Sequence, residues 1–215
     1  MVSEELEEIN MRKLMDRLYE NIADACAFEL SFTNFVYMYD DVIENDFTTE
    51  PCKTCDKAIQ IKDYLFPRSS CKKPYGILST LEFGVNEELK NALIEQFDIT
   101  EADFRPIRNK KGAIVFYQIT PQHVMRPIYK INRWMPYPKC GRCGSARFST
   151  RDYENEKGEI YHHISQEALE DMHDLNITYE RFDFHRPLCV ISRRVYDFLV
   201  ERYPQTHYVP FFLVE

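Results

Sequence analysis

Two Cys-x-x-Cys pairs, Cys52-Lys53-Thr54-Cys55 and Cys140-Gly141-Arg142-Cys143, are the residues of this chain best suited to chemistry. Four thiolates arriving in two pairs form the tetrahedral ligand set of structural zinc. Lys53 and Arg142 put a cation inside each pair, which lowers thiol pKa and favours the thiolate. Gly141 and Gly144 suit a tight turn that needs φ > 0, whereas the first pair is followed by Asp56, which takes that backbone less readily. A pair that no longer holds metal is therefore the alternative at the first site. Dithiol redox chemistry needs one pair at a helix start after a strand, and neither pair has that context. Structural zinc on Cys52, Cys55, Cys140 and Cys143 is the reading adopted.

Other reactive residues point to no reaction. Seven Cys is an odd number, which argues against a full disulfide framework. Cys71 falls on a loop, where it either lies free or replaces a ligand, and Cys26 and Cys189 fall in apolar segments and read as small hydrophobes. His162 and His163, adjacent on a strand, point to opposite faces and are expected in solvent, while His123, His173, His185 and His207 stand isolated. Asp40-Asp41 reads as a strand-ending turn. No Gly-x-Ser-x-Gly, His-Glu-x-x-His or phosphate-loop pattern occurs, and no residues fill the roles of nucleophile, base and oxyanion donor, so a non-enzyme is expected.

The elements that must position these residues alternate in kind. An N-cap at Ser3 and apolar spacing predict a helix over 4–26, and an aromatic, β-branched run predicts a strand over 28–39. A short strand is expected over 59–66, a loop over 68–76, a strand from Leu81, a helix over 86–97 and strands at 104–107 and 112–119. Ile128 to Trp134 is a further pairing candidate. Ser165 caps a short helix, 179–184 reads as extended, 188–191 as a strand, 193–203 as a helix and 208–214 as a last strand.

One unit is written twice. At an offset of 106 residues Val85 meets Ile191, Leu89 meets Val195, Leu93 meets Leu199 and Phe97 meets Tyr203. Asn86 and Ser192 both fall at the helix N-cap, and after a two-residue shortening Phe104 meets Tyr208 and Pro106 meets Pro210. Each copy follows a Cys-x-x-Cys. The expected architecture is α+β: two related strand–helix–strand halves with mixed or antiparallel sheets, joined by a four-cysteine zinc-ribbon-like site. Residues 1–48 form an N-terminal helix and strand, 49–120 the first half and 121–215 the second, within one compact domain.

Composition narrows the partners. With 44% hydrophobic and 29% charged residues the chain reads as globular, and 15 Phe and 14 Tyr suit strands and a protein-binding surface. A net charge of −8 repels a phosphate backbone, so nucleic acid is a poor partner. No apolar run approaches the roughly 18–20 residues that cross a bilayer. The opening Met1-Val2-Ser3-Glu4-Glu5 is unlike a secretory leader, so the cytoplasm is the expected compartment.

With Cys52, Cys55, Cys140, Cys143 and Gly144, and with the runs Pro187 to Tyr196 and Val209-Pro210-Phe211, the chain resembles the double-CxxCG motif immunity proteins of bacterial polymorphic-toxin systems. The resemblance implies a non-catalytic antitoxin that binds and blocks a cognate toxin domain, and no catalytic residue carries over. If that toxin is a basic nuclease, Asp40, Asp41, Glu44, Asp46, Glu154 and Glu156 are the acids expected to meet it. The competing expectation is a zinc-ribbon nucleic-acid-binding or regulatory protein using Lys53, Lys72, Lys73, Lys139, Arg142 and Arg147.

Overall fold

The computed structural model of the chain describes residues 19, 21–31, 65–66, 75–79, 82–109, 111–128, 141–142, 153–154, 156, 158, 160–180, 187–203 and 207–214. Among these residues the architecture is α+β. Eleven strands form two sheets, and three α-helices accompany them.

The strands, in chain order, are β1 (Ala27–Ser31), β2 (Leu65–Phe66), β3 (Tyr75–Ser79), β4 (Glu82–Val85), β5 (Phe104–Asn109), β6 (Ile114–Ile119), β7 (Tyr153–Glu154), β8 (Ile160–Ser165), β9 (Leu175–Ile177), β10 (Cys189–Ser192) and β11 (His207–Val214). The helices are α1 (Glu87–Gln96), α2 (Gln166–Glu170) and α3 (Arg193–Arg202). One sheet has the order β7-β8-β11-β1-β10-β9 and the other β2-β5-β6-β4-β3. Both are mixed: β8 runs parallel to β11, and β2 parallel to β5, whereas their other ladders are antiparallel.

The two longer helices start for the reason their sequences announce. The Asn86 side chain accepts a hydrogen bond from the Leu89 N–H at 2.8 Å, and Glu87 and Glu88 sit in the first turn, where acids complement the helix dipole. Ser192 does the same for the Val195 N–H of α3. Each helix turns an i, i+4 stripe inward: Leu89 and Leu93 on α1, Val195 and Leu199 on α3. Each joins two parallel strands, β4 to β5 and β10 to β11, and parallel strands need such a crossover.

The main core lies where the halves meet. It gathers Phe28 and Leu30 of β1, Val85, Leu89 and Leu93 of the first half, and Ile191, Val195, Leu199 and Tyr208 of the second, all 4% exposed or less. The rings of Phe28 and Tyr196 stack at 3.6 Å, with Tyr208 edge-on to both. A smaller cluster on the other face of the six-stranded sheet holds Ala27, Met125, Ile164, Ala168, Val190 and Phe211. Alternation along β1 explains the division, since Ala27 and Phe28 point to opposite faces.

Four expectations are corrected. The predicted helix over 4–26 does not reach its end: Ile22–Asp24 is a single 3-10 turn, Ala25 is extended and β1 begins at Ala27, while 1–18 lie outside the described residues. Three carbonyls, of Ile22, Ala23 and Ala25, accept from the Arg193 guanidinium, so a tertiary contact closes this turn. The loop predicted over 68–76 gives way at Tyr75 to β3, whose register with β4 pairs Tyr75 with Val85 and Gly76 with Gly84, while 68–74 lie outside the described residues. Of the extended segment expected over 179–184, Tyr179 and Glu180 form a bend after β9, and 181–184 lie outside the described residues. His162, expected in solvent, is 2% exposed because β8 lies inside its sheet, between β7 and β11.

Candidate functional site

Cys52, Cys55, Cys140 and Cys143 lie outside the described residues, as do Asp40, Asp41, Glu44 and Asp46. What is described between the last two cysteines is a turn at Gly141 and Arg142, both exposed. Gly141 is not in the left-handed region the sequence suggested, and a Cβ built on it would meet no atom within 4 Å. Four cysteines, as thiolates, would supply the ligand chemistry of structural zinc. Of the remaining acids proposed for partner contact, Glu154 stands on the edge strand β7 and Glu156 is exposed in the turn that follows. Among the described residues no group of three or more His, Cys, Asp or Glu could hold a metal.

The polar chemistry that is described gathers at the junction of the two halves. Asp174 is 6% exposed. Its carboxylate accepts from the Ser192 hydroxyl, from the Asp98 N–H at 2.8 Å and from the Arg194 guanidinium at 2.8 Å. Asp98 ends the α1 region and Ser192 and Arg194 open α3, so one carboxylate joins the halves. Arg194 also covers the Phe97 ring, 5.3 Å from its centroid.

Beside this cluster His123 and His173, isolated in sequence, stack face to face with ring centroids 4.0 Å apart. His123 Nε2 lies 2.8 Å from the Asp171 carbonyl oxygen, and His173 Nδ1 lies 3.5 Å from the Asp98 carboxylate. The bridge from Val124 to Ile177, with paired N–H donations by Met125 and Ile177, holds the two segments together.

Another pair, a buried histidine and a half-buried carboxylate, crosses the six-stranded sheet. His162 Nε2 lies 2.8 Å from Glu29 Oε2, spanning β11 between β8 and β1. His163, on the opposite face of β8, tilts against Tyr161. Burial, and then the charge of His162, hold its imidazole below the ordinary histidine value. Cys26 and Cys189 are half-buried against the two core clusters, and desolvation raises both thiols above the ordinary value, so they are protonated and poorly nucleophilic at neutral pH.

Sequence reasoning did not find Asp174, Glu29 or the histidine stack. Glu29 did leave a signal, as a carboxylate between the apolar Phe28 and Leu30 of a strand. Asp174 left none, since its partners are separated from it along the chain. Compared with models of protein families, with curated proteins and with solved structures, the chain matches none.

Proposed function

We propose that this chain is an immunity protein, one that neutralises a cognate bacterial toxin by binding it directly inside the producing cell. The observation that carries the reading is the pair of Cys-x-x-Cys motifs, each ahead of one copy of the same strand–helix–strand unit, together with the C-terminal run that likens the chain to the double-CxxCG family. That run comprises β10, the start of α3 and part of β11.

In this reading Cys52, Cys55, Cys140 and Cys143 hold a structural zinc that ties the segment before β2 to the segment before β7. The ion supplies cross-linking and no reaction. The protein acts by covering the toxin. A net charge of −8 favours encounter with a basic toxin domain, and the exposed Glu156 supports a role for the acids beside β7.

Co-expression with the toxin encoded by the adjacent gene tests the proposal. A complex that survives gel filtration, and rescue of cells from the toxin, are expected; neither complex nor rescue would refute it. Metal analysis should find about one zinc per chain, and Cys140→Ser should release it. Arg142, exposed on its turn, supports the second reading, a zinc ribbon that binds nucleic acid. Titration with duplex DNA separates the two: affinity that falls steeply with salt favours the ribbon, and no binding at low salt removes it.

A further inference from the structure

We infer that β1 is the displaced middle strand of a second copy of the first sheet, so that the two halves are the same five-stranded unit with one strand delivered from a different place in the chain. This goes beyond the functional reading and does not depend on it.

Apart from the outer strand β7, the sheet orders align. In one sheet β2, β5, β6, β4 and β3 lie side by side; in the other, β8, β11, β1, β10 and β9 do. The directions agree at every ladder: the first pair is parallel and the other three are antiparallel. In both, a helix joins the two strands that flank the middle one, and those helices occupy equivalent positions, Glu87–Gln96 and Arg193–Arg202. Of the five aligned strands, the middle one differs in origin. β6 follows β5 through the Asn109–Ile114 turn, whereas β1 precedes the whole unit.

The register agrees from Phe104 to Ile107 and from Tyr208 to Phe211, up to the shift that follows Ile107. Phe104 pairs with Ile119 and Pro106 with Tyr117; Tyr208 pairs with Leu30 and Pro210 with Phe28. On the other side of the middle strand Val85 pairs with Tyr117, and Ile191 with Phe28. Two ladders thus make Tyr117 the counterpart of Phe28, and the ladder to β5 or β11 makes Ile119 that of Leu30. A one-residue slip would have turned every side chain to the wrong face, so agreement on both ladders is a strict condition.

Side chains above the strand repeat the arrangement with changed chemistry. Tyr196 stacks on Phe28 with Arg193 beside the ring, 5.8 Å from its centroid. At the matching helical positions Lys90 lies over Tyr117, 4.7 Å from its centroid, and Glu87 accepts from the Tyr117 hydroxyl at 3.4 Å. One ring in each half carries the same two helical positions.

The antiparallel pairing of β1 with β11 brings the start of β1 to the end of β11, where Cys26 N–H donates to the Phe211 carbonyl at 3.0 Å. That is the place a β5–β6-like turn would occupy. Two circular permutants of the full chain test the inference. The first starts at Asp46 and carries Met1–Asn45 after Glu215 through Gly-Ser linkers of about 5 and about 10 residues. The second opens the β5–β6 turn between Lys111 and Gly112, so that β6 is delivered without β5, as β1 already is without β11. Both are expected to unfold cooperatively with Tm within about 5 °C of the parent, with slow amide exchange in β1 and β6. A first permutant that stays unfolded with both linkers, or that folds with β1 amides exchanging freely, overturns the inference. So does a second permutant that does not fold.

Discussion

Asp174 is a carboxylate whose burial is tolerable only because three donors meet it. Ser192, the Asp98 N–H and Arg194 replace the water it lost, and removing the carboxylate strands a buried hydroxyl and an amide together. Asp174→Ala is expected to destabilise the fold by about 3 kcal/mol, read from urea unfolding, while Arg194→Ala, acting at a guanidinium 60% exposed, should cost about 1 kcal/mol or less. His163 sets a pH dependence of the opposite kind from a paired histidine. Its folded pKa is lowered by burial and by His162, so the unfolded chain binds a proton first as pH falls. Its contribution is present above the ordinary histidine pKa of about 6.5 and is lost as pH drops below it. Thermal melts from neutral to mildly acid pH should show Tm falling, and His163→Gln should flatten part of that fall.

The helix starts at Asn86 and Ser192 are local devices, and local devices can be read along a chain. A side-chain oxygen before an apolar i, i+4 stripe satisfies an amide of the first turn whatever the surroundings. Asn86→Ala should cost about 1 kcal/mol. Ser192→Ala should cost more, because the same hydroxyl also serves Asp174; parallel urea titrations of the two variants check the order. Strands were less legible. β3 and β9 span Tyr75–Ser79 and Leu175–Ile177 and contain Gly76 and Asn176, residues that speak for a turn. Asn176 is tolerated because its amide donates to the His173 and Val190 carbonyls and its oxygen accepts from the His173 N–H. That compensation comes from the fold around it.

Among the described residues, the main core draws on both sheets and both longer helices. Val85, Leu89 and Leu93 face Ile191, Val195 and Leu199 around one small void, so the residues matched along the sequence are also neighbours in space. Leu89→Ala is expected to cost about 2–5 kcal/mol. Combined with Val195→Ala, its effect should depart from additivity by more than about 0.5 kcal/mol, which denaturant unfolding of the single and double variants would show. A strictly additive result would mean that the halves are separate energetic units.

Residue types and spacing alone were enough for the α+β class, for the helices α1 and α3 with their caps, and for noticing the thiol pairs that carry the proposed function. These rest on interactions within a few residues, or on periods that survive in any environment. The place of β1 in the middle of the second half's sheet, the burial of His162 against Glu29, and the meeting of His123 with His173 were decided by tertiary pairing. An alternating pattern states that a strand has a buried face. It carries no information about which distant strand will supply the hydrogen bonds, and only the closed sheet makes that choice.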